Sequence, residues 1–208
     1  MMQATRGILS TMVILTLLGV GCGDKPDPNL QVERLPDVHP NLPTVPTLPP
    51  PPFPTTYDDS SYSIWGLRHR IRNTMDTDVS LTGYIVDIYQ PPECPRGQVC
   101  PRPAAPHMYI ADTATETDHH NALMVVGYAE NQEQIDEAVE LASRGRYEPP
   151  DPASGILPVP TDFVQGNKVK VTGKFTRVSG SGFNNSEGLM EYRSHTTIQA
   201  VSDRREIN

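Results

Sequence analysis

The chain has 208 residues, with 17 Lys and Arg against 25 Asp and Glu and a formal net charge of -8. That acidity argues against nucleic acid as a general partner, although a local basic patch can override net charge. The length leaves room for one modest domain with a real core once the leading segments are set aside.

At the N-terminus, Arg6 precedes an apolar run over residues 8–20 that is interrupted only by small or hydroxyl side chains. The run is too short to cross a bilayer comfortably as a mature helix, so residues 1–21 read as a signal peptide. It closes on Gly21-Cys22, with Gly19 and Leu18 just before. This junction resembles the lipobox of bacterial lipoproteins, although Gly19 stands where that motif usually has leucine. The resemblance implies that Cys22 receives a palmitate-bearing diacylglycerol group and becomes the new N-terminus. Gly23 stands where aspartate commonly signals inner-membrane retention, which implies attachment at the cell outer membrane, facing the periplasm. An ordinary secretory peptide followed by a free thiol is the alternative.

Residues 22–60 form a second compositional block, in which 11 prolines fall between positions 26 and 54. Proline lacks the N–H and fixes φ, so neither a helix nor an interior strand survives this density. The block is expected to be an extended membrane tether rising about 3.1 Å per residue where it is stiff. A ligand for a proline-recognition domain is the functional alternative.

The folded domain is expected over residues 61–203, ahead of a disordered tail at 204–208. IWGLRHRI, residues 64–71, fits either a leading strand or a short helix. VSLTGYIVDIY, 79–89, reads as a strand with a bend at Gly83. HMYIAD, 107–112, and ALMVVGY, 122–128, read as short strands. NKVKVTGKFTRV, 167–178, alternates most cleanly: Val169, Val171 and Phe175 share one face, and Lys168, Lys170, Thr172 and Lys174 the other. A last strand falls within 188–201. Between the third and fourth strands, Asn131 and Gln134 suit a helix N-terminus, and Ile135, Ala138, Val139 and Ala142 recur on one face before Gly145. The segment 146–166 is long for a structureless loop. It either serves function or hides a short strand, with Ile156, Leu157 and Phe163 expected to fold back on the domain.

Three strands, a helix and two long strands, with Gly83 and Gly173 inside strands one and four, resemble the OB-fold. Asp112, Gly127 and Gly166 also carry the likeness, which covers residues 79–201. The whole chain resembles OB-fold-like lipoproteins of delta-proteobacteria. The resemblance implies a mostly β, small five-stranded barrel with its helix between strands three and four. A β-sandwich or an SH3-like barrel is the structural alternative.

Cys94 and Cys100 lie in CPRGQVC, where Pro95 and Gly97 suit a turn. If Cys22 carries lipid, these two are an even pair in an oxidising compartment, and a disulfide is the expectation. A structural zinc site would want about four ligands, with His107, His119 and His120 as the remaining candidates. A redox pair more usually has two intervening residues.

No catalytic residue, metal site or cofactor is assigned. H-E-x-x-H and G-x-S-x-G are absent from the sequence. A metal-dependent hydrolase built on Asp118, His119 and His120 is the enzyme alternative, although those residues lie in a turn-rich stretch. Ligand binding is the stronger expectation. OB barrels bind over strands two and three and the adjoining loops, which here directs attention to Tyr84, His107, Tyr109 and Met124. Tyr109 and Met124 equally suit packing in the core or on a strand face. Lys168, Lys170 and Lys174 form a stripe suited to an anion, and Phe183, in a polar glycine-rich loop, either caps the barrel or makes an exposed contact. The expected function is a non-enzymatic, membrane-tethered binding or structural module of the bacterial envelope. An envelope protein, glycan or anionic polymer is its expected partner, and an oligonucleotide the alternative.

Overall fold

The computed structural model describes residues 47–95 and 97–201. The chain divides into two units, Met1–Leu48 and Pro49–Asn208, and the described residues fall almost wholly in the second. The expected signal peptide, Cys22, most of the proline-rich block and the 204–208 tail lie outside the described residues.

The described protein is mostly β. Five strands, β1 (Thr77–Ile88), β2 (His107–Ala111), β3 (Leu123–Val126), β4 (Lys168–Val178) and β5 (Asn184–Gln199), pair in the order β1-β2-β3-β5-β4. Because β4 also pairs with β1, the hydrogen bonds run around a closed ring. Neighbours pair antiparallel except β3 and β5, which are parallel, with Val125 opposite Met190. β1 serves two partners: residues 77–84 pair with β4 and residues 84–88 with β2.

Two glycines let the ring close. A Cβ on Gly83 would fall 2.6 Å from side-chain atoms of Ile110 and Ile64. One on Gly173 would fall 2.1 Å from the Glu191 carbonyl oxygen, where the β4–β5 register steps from Thr172–Ser194 to Gly173–Tyr192. Only a residue without a side chain permits these approaches.

Alternation places the core as expected. Val169, Val171 and Phe175 are fully buried, together with Leu81, Ile85, Met108, Ile110, Leu123, Val125 and Met190. Lys168, Lys170, Thr172 and Lys174 are half-buried on the opposite face of β4. Leu67 is likewise buried and joins Ile64 in the same core.

Those two residues belong to α1 (Ile64–His69), followed by the short α2 (Ile71–Thr74). The segment that suited strand or helix is helical because its N-terminus is capped twice. Ser63 Oγ accepts from Gly66 N–H at 2.8 Å. From the end of β2, Asp112 accepts from Ile64 and Trp65 N–H, both at 2.8 Å. Burial pushes the Asp112 carboxyl above its usual range even though these N–H groups pull the other way.

α3 (Gln132–Ser143) lies between β3 and β4. Asn131 Oδ1 accepts from Gln134 N–H at 2.9 Å. Gln134 Oε1 accepts in return from Glu130 N–H, one residue before the cap, at 2.9 Å. Ile135 and Ala138 pack inward, but Val139, expected on the same face, is exposed.

Residues 146–166 contain no strand, only a 3-10 turn at Pro152–Ser154. Phe163 folds back, edge-on to Tyr128 at 5.4 Å. Ile156 and Leu157 do not: they are 62% and 39% exposed. Tyr147 donates to the Val159 carbonyl on one side of them, and Asp162 is bound to β5 on the other. The loop is therefore held at its flanks while its tip stays on the surface. β5 begins at Asn184, ahead of its expected start, so the β4–β5 connection shortens to residues 179–183.

Candidate ligand-binding face

β2 points Met108 and Ile110 into the core, which turns His107 and Tyr109 outward, each half-buried. Tyr109 is level with Met124 on β3. Around these positions the fold gathers rings from three connections. Tyr89, just past β1, stacks on His107 at 4.6 Å, and Phe183 from the β4–β5 loop meets the same imidazole at 4.9 Å. His107 then meets Tyr109 edge-on at 5.9 Å, and His119 from the β2–β3 loop stacks on Tyr109 at 3.9 Å and 8°. The result is a continuous row: Phe183 and Tyr89, His107, Tyr109, His119.

Backbone contacts fix the row. Tyr89 N–H donates to the His107 carbonyl at 3.0 Å, and the Tyr89 hydroxyl accepts from Ala104 N–H at 3.1 Å. Phe183 N–H donates to Ser179 Oγ at 3.1 Å. At the other end, Arg68 of α1 donates to the carbonyls of His120 and Ala122, and so holds the loop that carries His119. Burial lowers the Arg68 pKa, partly offset by Glu187 and Asp112. Asp87 lies 3.1 Å from His119 Nε2, and burial foremost, with Asp87 next, pushes the Tyr109 phenol up.

Tyr84 and Tyr109 both pack on a small outer cluster of Val86, Ala111 and Ala122. The residues that suited core or strand face thus sit on the outer face. Phe183 is half-buried against His107 rather than in the main core.

The lysines do not act as one free stripe. Lys168 Nζ sits over the rings of Tyr84 and Tyr57, at 5.4 and 5.7 Å. Lys170 is paired with Asp59 at 2.8 Å, and that bond, with Ser61, holds the Asp59 carboxyl well below the usual carboxylate range. Lys174 instead lines a separate depression with Glu191 and Arg193. Residues 54–60, which composition grouped with the proline-rich block, supply Tyr57 and Asp59 to this arrangement.

Cys94 and Cys100 are joined by a disulfide with Cα atoms 5.9 Å apart. Their loop continues into the wall of a cleft of about 420 Å³ that Tyr89, Arg102, Glu130 and Ser181 help to line. Arg102, Glu130 and Ser181 also line an adjoining cleft of about 610 Å³, backed by Tyr128, Ile156 and Leu157. The ring row therefore ends at the mouth of a continuous depression.

Among the described residues, no group of three or more His, Cys, Asp or Glu side chains is arranged to hold a metal ion. Asp118 Oδ1 accepts from His120 N–H at 2.9 Å, a turn contact, while His119 is engaged with Asp87 and Tyr109. No helix among the described residues is long and apolar enough to cross a membrane.

Three participants escaped the sequence reading as contact residues: Tyr89, Asp87 and His119. Tyr89 carried one local signal, an aromatic at the exact junction of a strand and the cysteine loop. A further constellation also went unread. His195 Nε2 is 2.6 Å from Asp162 Oδ1, and its Nδ1 is 2.8 Å from the Tyr192 hydroxyl. Because a carboxylate only accepts, Nε2 carries a proton toward Asp162, and Nδ1 shares a hydrogen bond with the Tyr192 hydroxyl. Tyr192 is buried and its phenol is pushed up to about 12, chiefly by that burial. The chain Asp162–His195–Tyr192 fastens the loop to the strand.

No protein-family model matches the chain, and no curated protein matches it. Among solved structures, one described as "OBody AM3L09 bound to hen egg-white lysozyme" is similar over 62% of this chain and 88% of that chain, at 8% identity and a TM-score of 0.33. A likeness at that level carries no argument about the function of this chain.

Proposed function

We propose that the chain is a non-enzymatic, lipid-tethered binding module of the bacterial envelope, built on an OB-fold-like barrel. The observation that carries the binding role is the row of rings running from Phe183 and Tyr89 through His107 and Tyr109 to His119. Rings packed together on β2 and the loops beside it give an apolar surface edged by hydrogen-bonding groups. That combination suits the planar faces of sugars or bases in an elongated ligand. The barrel supplies rigidity, and the β1–β2 and β4–β5 loops frame one end of the row, where OB-folds commonly engage ligands.

Electrostatics favours a glycan over a polyanion. Asp87 borders the row, Lys168 and Lys170 have intramolecular partners, and the net charge is -8. The engagement of His119 with Asp87 and Tyr109 supports a contact role for it rather than metal ligation. The tether rests on the sequence alone: the signal-like run, Cys22 and the proline-rich block that follows it.

Titration of the full chain with a neutral N-acetylglucosamine oligomer and with single-stranded DNA tests the role of the row. The expected result is glycan binding that falls about tenfold on Tyr109→Ala, the scale of one lost stacking partner, and DNA binding that is weaker. Glycan affinity unchanged by Tyr109→Ala and His107→Ala would overturn it. Mass spectrometry of the mature N-terminus checks the tether, with a diacylglyceryl group expected on Cys22.

A further inference from the structure

The ring row does not stop at a flat surface. Past Tyr89 and Phe183 it meets the two adjoining clefts of about 420 and 610 Å³, both within the range of roughly 300–1,000 Å³ usual for small-ligand sites. Their shared wall presents a guanidinium, Arg102, and a carboxylate, Glu130. Among the described residues, neither side chain has a hydrogen-bond or ion-pair partner within the protein. Some charges elsewhere are paired, as in Lys170–Asp59, Arg144–Glu140 and Arg193–Asp78, and others, Arg70 and Arg177 among them, are not; Arg102 and Glu130 are set apart by lining both clefts. Apolar surface from Tyr128, Ile156 and Leu157 lies beside this pair of unmatched charges. Ser181 belongs to the same short loop as Phe183, so cleft and row share a wall.

These features select a ligand chemistry. A neutral glycan satisfies the rings but leaves Arg102 and Glu130 unmatched. A polyanion would suit Arg102 and be repelled by Glu130 and Asp87. A purely apolar ligand would use neither charge. A group bearing both a carboxylate and an ammonium matches both, with short aliphatic side chains suited to Ile156 and Leu157. We infer that the ring row and the adjoining cleft form one composite site for a glycan bearing a short zwitterionic peptide. The sugars lie along Tyr109 and His107, and the peptide enters between Arg102 and Glu130. This inference rests on the ring-row reading and deepens it by naming the ligand.

The test is calorimetric titration of the full chain with two probes of equal sugar length. One is a neutral N-acetylglucosamine oligomer, and the other carries a short peptide with a free amine and a free carboxylate. The glycopeptide is expected to bind about tenfold more tightly. Arg102→Ala and Glu130→Ala should each reduce that advantage at least fivefold and leave the affinity for the neutral oligomer unchanged. Both residues are exposed, so the variants are expected to fold, and a matching thermal melt checks this. Equal affinity for the two probes, or an advantage that survives both substitutions, would overturn the composite site while leaving the ring row intact. Failure of both probes to bind would overturn the composite site and the ring-row reading together.

Discussion

His195 stands between a carboxylate and a buried phenol, and that placement makes part of the stability depend on pH. Its Nε2–H bond to Asp162, aided by Thr197 Oγ1 at 2.6 Å, holds the Asp162 carboxyl at about 2, against partial burial. The folded-state value lies below the unfolded value of 3.8. The contribution is therefore complete above the unfolded value and is lost as pH falls through the folded one. At a half-exposed carboxylate, solvent screening leaves about 1 kcal/mol of this effect. Urea unfolding of the native chain and of Asp162→Asn across that acidic window is the check. The native chain should lose about 1 kcal/mol more than the variant. Parallel stability curves would show that the Asp162–His195 bond contributes nothing across that window.

At the scale of elements, the β1–β2 connection is a heavily constrained loop that borders the row. Pro91, Pro92, Pro101, Pro103 and Pro106 limit it before the disulfide closes residues 94–100. The entropic model for so short a ring gives about 2 kcal/mol, and the prolines have already removed part of the freedom at issue. Replacing Cys94 and Cys100 together with Ser should lower the melting temperature by a few degrees and leave the β content intact, because none of the described residues between the two cysteines is buried. It should also weaken ligand binding, since Arg102 and Ala104 lie just beyond the bond and Ala104 fixes the Tyr89 hydroxyl. An unchanged melting temperature would mean that the prolines alone hold this loop.

At the scale of the molecule, the segment leading into the domain is part of its packing. Ser63 N–H donates to the Thr55 carbonyl at 3.3 Å, and Ser63 Oγ donates to Pro54. Thr55 also lies so close to Gly66 that any Cβ there would collide with its carbonyl. Asp59 pairs with Lys170, and Tyr62 bridges to Leu81. A chain beginning at residue 62 should therefore lose about 2–3 kcal/mol relative to one beginning at residue 49, the sum of several modest hydrogen bonds. Denaturant titration of the two truncations measures the difference, and equal midpoints would reduce residues 54–61 to a passive lead-in.

The sequence by itself determined the β character, the strand sites, the faces of β4 and the cap of α3. Each of these depends on neighbours within a few positions: Val169, Val171 and Phe175 share a face by the pleat, and Asn131 reaches Gln134 within one helical turn. The cysteine pairing was expected on other grounds, as an even pair of thiols in an oxidising compartment, with Pro95 and Gly97 suiting the turn between them. Where the signal came from far away, local pattern was insufficient. α1 is a helix in part because Asp112, 48 residues on, caps it. Val139 has helical spacing toward the core, yet the fold leaves it exposed. Ile156 and Leu157 are apolar, yet anchors on either side keep them at the surface. Only tertiary structure decided that Tyr89, His107 and Phe183, from three different parts of the chain, share one imidazole as their meeting point. Closure of the ring brings the β1–β2 and β4–β5 loops to the same end of the sheet, and that long-range geometry assembles the site.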